Sequence, residues 1–331
     1  MSVGGEPERA PESHATPSRI TVTAANDLEP RSEGPLSWRL SGVLLTLRPH
    51  QWHKNVFVLA PVVFAKEIFA TELLLRATSA VAIFCLLAGA VYTMNDLADV
   101  AADREHPLKR FRPIASGRVP VAWARWLAAG LIAVCLGGAA LLGLKFLGVI
   151  VAYFVLNVAY SFRLKHVAYV DVSCIAAGFV MRVMAGGFAT NIAVSHYLLA
   201  CTASLALFLG FGKRRHELSV AQARAGKQRA ALESYSPRGL DLALAATALV
   251  TVAMYLTYTL DPRTRTFFQS DWLWVSTVFV VLGILRFLTI VRDRPSAESP
   301  TQEIVRDGPF VAVILFWVGL VMWVVYHLRP S

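Results

Sequence analysis

Cysteine is scarce in this chain, and its placement excludes two classes of protein. The 331 residues include four cysteines, Cys85, Cys135, Cys174 and Cys201, with no CxxC pair among them. All four fall in apolar stretches, where a free cysteine behaves as a small buried apolar side chain. The pattern excludes a disulfide framework and a zinc site built on paired cysteines.

Charged residues are also few, at 16% of the chain, whereas hydrophobic residues make up 56%. The sequence has neither a glycine-rich phosphate loop nor an internal repeat. The apolar residues are gathered in about nine stretches that approach the roughly 20 residues needed to span a bilayer. These stretches are 51–70, 77–95, 123–144, 146–162, 168–189, 195–212, 239–259, 271–291 and 309–328. The sequence therefore predicts an all-α polytopic membrane protein, a bundle of about nine transmembrane helices.

The first forty residues have a different composition. Residues 1–40 are rich in proline, serine, glutamate and alanine and have few large apolar side chains. Such a segment cannot bury a core, and it lacks the apolar centre of a secretory signal peptide. We expect a disordered cytoplasmic tail over 1–40 and one transmembrane catalytic domain over 41–331.

Basic residues dominate the net charge of +10, and they cluster in particular loops. The predicted loops 96–122 and 213–238 carry more lysine and arginine than the loops between them. By the positive-inside rule the richer loops are cytoplasmic, which puts the N-terminus in the cytoplasm and the C-terminus outside. The clustering predicts a multi-pass plasma-membrane protein without a nucleic-acid partner.

An acidic motif follows the second predicted span. Asp96, Asp99 and Asp103 stand at i, i+3 and i+7, so on a helix they project from one face. Like charges this close repel each other, so we expect a cation between them. A Mg²⁺ ion that also binds a phosphate group would meet this need. Asn95 is placed to orient the first acid, and Lys109, Arg110 and Arg112 follow with positive charge for a phosphorylated ligand. The alternative, a solvated acidic helix end, is costly beside an apolar span.

Other polar side chains stand at the same predicted face of the bundle. The candidates for substrate binding are Lys54, Asn55, Tyr160, Arg163, Lys165, Asp171, Arg182, Lys213, Arg214, Arg215 and Glu217. Some have a structural alternative. Lys54 could be a snorkelling lysine, and Lys213, Arg214 and Arg215 could complement a helix dipole. Asp171 and Arg182 are eleven residues apart, roughly 16 Å along a helix, so each needs its own partner.

The acidic motif also resembles a known family signature. Asn95-Asp96-x-x-Asp99-x-x-x-Asp103, followed by the segment 112–117 (RPIASG), resembles the first motif of the UbiA superfamily of intramembrane prenyltransferases. The resemblance extends over 41–331. It implies a helical bundle with its active site on the cytoplasmic side, and an aspartate motif that binds Mg²⁺ and a donor diphosphate.

One departure narrows the resemblance. Typical members carry a second DxxxD motif after the sixth span, where this chain reads GKRRHEL (212–218). That change disfavours a donor held by two metal clusters and favours an additional phosphate bound by lysine or arginine. Four stretches of the chain are similar to one branch of the superfamily. They are LRPHQWHKN (47–55), NDLADVAADREHPLKRFRPIASG (95–117), YSFRLKHVAYVDV (160–172) and GKRRHEL (212–218). That branch transfers 5-phosphoribose from 5-phosphoribosyl 1-diphosphate (PRPP) to decaprenyl phosphate for arabinan in cell-wall arabinogalactan and lipoarabinomannan.

Two other functions remain open at this point. A classical prenyltransferase, with a polyprenyl diphosphate donor and an aromatic or haem acceptor, would use the same first motif. A membrane transporter would use Asp171 and Arg182 to line a pathway. The sequence does not allot individual cations to donor or acceptor, and a homo-oligomer is the ordinary expectation for such a bundle.

Overall fold

The computed structural model describes residues 34–224, 234–293, 303–304 and 306–327. This part of the chain is helical throughout and contains no strand. Its α-helices are α1 Leu36–Thr46, α2 Ala60–Phe64, α3 Thr71–Ala98, α4 Val100–Glu105, α5 Val121–Leu142, α6 Leu144–Phe162, α7 Val170–Thr190, α8 His196–Arg224, α9 Pro237–Leu260, α10 Pro262–Phe268, α11 Ser276–Asp293 and α12 Gly308–His327. Short 3-10 helices cover Pro49–Leu59, Lys109–Phe111, Leu164–His166 and Trp272–Val275.

Eight helices of the described chain are long and apolar enough to cross a membrane. They are α3, α5, α6, α7, α8, α9, α11 with its preceding 3-10 turn, and α12. Large apolar side chains also cover their outer surface, where Trp126 is 80% exposed and Leu141 is 88% exposed. A soluble protein rarely exposes so much apolar surface, so these residues face lipid. The multi-pass helical membrane fold predicted from the sequence is confirmed.

The first predicted span, 51–70, takes a different form from the other eight. It begins as the 3-10 helix Pro49–Leu59 and continues as the single-turn helix α2. The residue before it, Arg48, contacts Asp96, while Phe64 at its end lies beside Phe267 at the opposite end of the bundle. The segment therefore extends from one end of the bundle towards the other, although it is not among the eight helices that are long and apolar enough to cross a membrane.

A glycine allows this segment to lie close to α7. A Cβ atom added to Gly186 would lie 1.9 Å from the backbone oxygen of Val58, much closer than real atoms approach. Only glycine leaves room for the two backbones to meet at this distance. The close approach brings Lys54 and Asn55, which precede Val58, against the inner face of α7.

Helix α7 lies between two apolar cores and contacts both. One core joins α3, α5 and α6 around Phe84 and Phe146, whose ring centroids are 6.4 Å apart. The other joins α8, α9 and α11 around Phe208 and Phe287, at 5.1 Å. Because α7 is packed on both sides, its polar residues Asp171 and Arg182 are buried inside the bundle.

Two boundaries differ from the sequence-based expectation. Helix α1 begins at Leu36, so residues 36–40 are helical, while residues 1–33 of the predicted tail lie outside the described residues. Helix α8 continues to Arg224, so 213–217 is helical rather than part of a loop. It continues because Leu218 is 4% exposed and packs in the second core. The predicted cytoplasmic orientation of this end stays a prediction.

Candidate active site

A cavity of about 650 Å³ opens between α3, α6, α7 and the Pro49–Leu59 segment. Five of its lining side chains are basic, namely Arg48, Lys54, Arg112, Lys165 and Arg182, and two are acidic, Asp96 and Asp99. Neutral polar groups come from Tyr92, Asn95, Tyr153, Asn157, Tyr160 and Ser161. Excess positive charge in a low-dielectric cleft attracts anions. The cavity is therefore suited to a ligand with several negative charges.

The acidic motif is not one continuous helix face. Helix α3 ends at Ala98 and α4 begins at Val100, because Asp99 between them has φ −92° and ψ 3°, outside the helical range. Asp96 and Asp103 are buried, whereas Asp99 is exposed to the cavity. The helix is therefore interrupted within the motif, and Asp99 has different surroundings from Asp96 and Asp103.

Arginines neutralise two of these acids. Arg48 Nη2 lies 2.7 Å from Asp96 Oδ1, and Arg112 Nη1 lies 3.3 Å from the same oxygen. Arg112 Nη1 is also 2.7 Å from Asp103 Oδ2. Thus the cation expected between the first and third acids is, in this structure, the guanidinium of Arg112. Arg48 reaches its position from a left-handed backbone conformation, with φ 51°, and packs 4.8 Å from the centroid of the Tyr92 ring.

The oxygen ligands at the end of α3 fit Mg²⁺ in part. In the described chain no three acidic, histidine or cysteine side chains are gathered as a metal cluster. Asp96, Asp99 and the amide of Asn95 nevertheless line one cavity and offer only oxygen ligands of the kind Mg²⁺ takes. One or two carboxylates suffice for Mg²⁺ when substrate phosphates complete its coordination. Asp103 does not line the cavity, and its metal role stays a prediction.

Arg182 marks the inner end of the cavity. Its Nε donates to Asn55 Oδ1 at 2.8 Å, its Nη2 to the Tyr153 hydroxyl at 2.7 Å, and its Nη1 to the Gly178 carbonyl at 2.9 Å. Asn55 is only 1% exposed, so it supports Arg182 from behind the cavity wall. Of the predicted pair on α7, Arg182 lines the cavity and Asp171 does not.

Asp171 instead belongs to a separate buried network. It is completely buried, and its Oδ2 lies 2.7 Å from Arg214 Nε on α8. Its Oδ1 accepts from the hydroxyl of Tyr235, the backbone of which lies just before α9. Burial, together with this hydrogen bond, raises the pKa of Tyr235 well above its usual value, so the hydroxyl stays a proton donor. The inference that Asp171 and Arg182 each need a partner of their own is confirmed.

The other predicted cations lie outside the cavity wall of the described chain. Arg214 pairs with Glu217 as well as Asp171, Lys213 lies 3.9 Å from Glu217, and Arg215 lies 2.7 Å from Asp241. The further predicted residues that do not line the cavity are Lys109, Arg110 and Arg163. Several of these six basic residues already pair with a carboxylate of the protein. Phosphate binding by the six stays a prediction.

Sequence reasoning did not select several lining residues. Arg48 was overlooked although it lies in the stretch LRPHQWHKN, because its role depends on the turn that precedes the 3-10 helix. Tyr153 and Asn157 were also missed. With Tyr160 they stand at i, i+4 and i+7 on α6, a polar stripe on an otherwise apolar helix. That spacing is a signal from which they could have been found.

Comparison with known proteins identifies the family. Residues 56–302 match the UbiA prenyltransferase family. The chain belongs to the UbiA prenyltransferase family. Over 289 residues it is 36% identical to the decaprenyl-phosphate phosphoribosyltransferase of Corynebacterium glutamicum, covering 86% of this chain and 87% of that protein. The protein of the same name from Mycobacterium tuberculosis is 38% identical over 288 residues, with 85% and 93% covered.

Solved structures agree on the UbiA fold. A UbiA homologue from Archaeoglobus fulgidus bound to GPP and Mg²⁺ superposes with a TM-score of 0.62 at 19% identity, covering 86% of this chain and 99% of that one. At this identity the likeness establishes the fold alone. Family membership and the curated relatives together make this UbiA chain an enzyme of the transferase class.

Proposed function

We propose that the enzyme transfers 5-phosphoribose from PRPP to decaprenyl phosphate and releases diphosphate. The observation that carries this proposal is the excess of basic side chains in the cavity, five against two carboxylates. PRPP brings a diphosphate and a phosphate monoester, and the acceptor brings another phosphate. The names of the curated relatives give decaprenyl phosphate and a transferred phosphoribosyl group, which supports the proposal.

The donor diphosphate would lie at the acidic end of the cavity. There Asp96 and Asp99, with Asn95, would hold a Mg²⁺ ion, which supplies Lewis-acid neutralisation of the leaving diphosphate. Arg48 and Arg112 lie against the same carboxylate and can donate charged hydrogen bonds to diphosphate oxygens. Asp103 would hold Arg112 in place.

The reaction exchanges two bonds at C1 of the ribose. The bond from C1 to the diphosphate oxygen breaks, and an oxygen of the acceptor phosphate forms the new bond. A phosphate monoester has a second pKa near about 6, so the acceptor is already largely ionised at neutral pH. A strong general base is therefore unnecessary, and holding the two substrates in line is the main task of the cavity. Attack opposite the leaving group inverts the configuration at C1.

The proposal includes the orientation of the enzyme in the membrane. We place the active site on the cytoplasmic side of the plasma membrane, with the N-terminus inside and the C-terminus outside. The polyprenyl tail of the acceptor would pass between helices into lipid, and the product would supply arabinan synthesis. Assembly as a homo-oligomer is part of this proposal.

The test is transfer of label into lipid. Purified protein in detergent is mixed with Mg²⁺, PRPP labelled in its ribose, and decaprenyl phosphate, and label is counted in the organic phase. Lipid-linked label that disappears when EDTA is added is the expected result. Absence of label in the lipid, from folded protein and intact substrates, would contradict the proposal.

A further inference from the structure

Arg182 differs from the other buried arginine of the described chain in its partners. Arg214 is 3% exposed and pairs with the carboxylates of Asp171 and Glu217. Arg182 is 8% exposed, and its three hydrogen bonds all go to neutral groups. A buried charge without a counter-ion is costly. The positive charge of Arg182 is therefore available to an anion that enters the cavity.

The aromatic rings around Arg182 stabilise it only in part. The guanidinium carbon lies 4.8 Å from the ring centroid of Tyr153, 5.4 Å from that of Phe179 and 5.8 Å from that of Phe84. Cation–π contacts are attractive, but the rings carry no net negative charge. A guanidinium has five N–H groups. Within the described chain three of them are used, which leaves two for a ligand.

A second cation lies near Arg182 on the cavity wall. Lys54 lines the same cavity, and the next residue, Asn55, accepts a hydrogen bond from Arg182 Nε. The ion pairs of the described chain do not include Lys54. Two neighbouring cations match a phosphate monoester, which carries about −1.5 to −2 charges at pH 7.

The depth of Arg182 separates it from the acidic end of the cavity. Asp96 is two residues from the end of α3, whereas Arg182 is twelve residues from the start of α7 at the same end of the bundle. Twelve residues correspond to roughly 18 Å of helix. A phosphate on Arg182 would therefore be a different group from the one held beside Asp96.

We propose that Arg182 and Lys54 form a subsite for a phosphate monoester, with Asn55 and Tyr153 as its positioning residues. Asn55 Nδ2 donates to Cys85 Sγ at 3.1 Å, which turns the amide oxygen towards Arg182. This inference deepens the proposed function and rests on it for the source of the phosphate. That source is either the ribose 5-phosphate of PRPP or the headgroup of decaprenyl phosphate.

The sharpest test is Asn55→Asp. The new carboxylate would stand where the amide oxygen now lies, 2.8 Å from Arg182 Nε, and would supply the missing counter-ion from the protein itself. A purely structural Arg182 would tolerate this ion pair with unchanged kinetics. A phosphate subsite would instead lose its ligand. We expect an increase of about 10- to 100-fold in the KM of one substrate, as for loss of one charged hydrogen bond.

Arg125→Gln is the matched control. Arg125 is exposed on the outer surface of α5, away from the cavity lining, and this variant also lowers the net charge by one. We expect its two KM values to equal those of the wild type. Tyr153→Phe, which removes only the hydroxyl that accepts from Arg182, should raise the same KM as Asn55→Asp by a smaller factor.

The kinetic outcome identifies the source of the phosphate. A selective increase in the PRPP KM assigns the subsite to the ribose 5-phosphate, and a selective increase in the decaprenyl phosphate KM assigns it to the lipid headgroup. Unchanged values for both substrates, or an equal increase in both, would overturn the inference.

A binding measurement separates this inference from the proposed function. The Tm of purified protein is measured with PRPP alone and with decaprenyl phosphate alone. At the same concentration, one ligand should raise the Tm of the wild type and of Arg125→Gln by more than that of Asn55→Asp. This pattern in a wild type that transfers no phosphoribose would uphold the subsite and contradict the proposed reaction. Equal protection of all three proteins by both ligands would overturn the subsite.

Discussion

Arg112 Nη1 lies 2.7 Å from the Oδ2 atom of Asp103. The same nitrogen is 3.3 Å from Asp96 Oδ1, so one guanidinium bridges the first and third acids of the motif. The second acid, Asp99, faces the cavity from the break between α3 and α4. The three aspartates therefore have different surroundings and should have different tasks.

Substitution of the motif acids should separate metal binding from positioning. We expect Asp96→Asn and Asp99→Asn each to lower kcat by at least about 100-fold in folded protein, because charge stabilisation at the leaving group is lost. Asp103→Asn should lower activity through a displaced Arg112 and leave the Mg²⁺ requirement unchanged. The measurement is activity as a function of Mg²⁺ concentration. If Asp103→Asn needs a higher Mg²⁺ concentration than the wild type, Asp103 is a metal ligand and the positioning role is contradicted.

Arg48 should take part in donor binding although sequence reasoning did not select it. We expect Arg48→Gln to raise the KM of PRPP about 10-fold, because one charged hydrogen bond to the diphosphate is lost. The KM of decaprenyl phosphate should change little. Arg292→Gln, an exposed change on α11, is the control and should leave both constants unchanged. Equal KM values for Arg48→Gln and the control would exclude Arg48 from the donor site.

The acidic end of this site could be anticipated from the sequence to a large extent. Asp96 and Asp99 line the cavity because a recognisable motif closes an apolar helix, and both features are local in the chain. The position of the Arg48 side chain depends on a left-handed backbone conformation, which the pattern of apolar residues does not predict. The pairing of Asp171 with Arg214 joins residues 43 positions apart, and that of Asn55 with Arg182 joins residues 127 apart. Such distant contacts depend on how the helices pack, which composition and periodicity do not specify.

The buried Asp171–Arg214 pair should matter for folding. We expect Asp171→Asn to lower the free energy of unfolding by about 1.5–3 kcal/mol, because the buried Arg214 loses a charged hydrogen bond and keeps only Glu217 as a counter-charge. Arg215→Gln breaks the exposed pair with Asp241 and should lower it by about 0–1 kcal/mol. Thermal unfolding in detergent compares the two variants. An equal decrease in the free energy of unfolding for the two variants would show that the buried pair stabilises the fold no more than the exposed pair.

The close contact of the Pro49–Leu59 segment with α7 can be tested with a single methyl group. Gly186→Ala would put a Cβ atom 1.9 Å from the Val58 carbonyl oxygen, so the segment that carries Lys54 must move. We expect a loss of about 1–3 kcal/mol of stability or more, together with reduced activity. Gly137→Ala on α5 is the control, since its added Cβ would meet no atom within 4 Å. A Gly186→Ala protein as stable and active as this control would contradict the packing described.

Donor choice distinguishes phosphoribosyl transfer from prenyl transfer. Purified protein is given PRPP, decaprenyl phosphate, a prenyl diphosphate and an aromatic acceptor in one Mg²⁺-containing reaction, and the lipid products are identified by mass spectrometry. We expect a single new lipid, decaprenyl phosphate extended by one 5-phosphoribosyl group, which fails to form with Asp99→Asn. A prenylated aromatic product, with decaprenyl phosphate left unchanged, would contradict phosphoribosyl transfer.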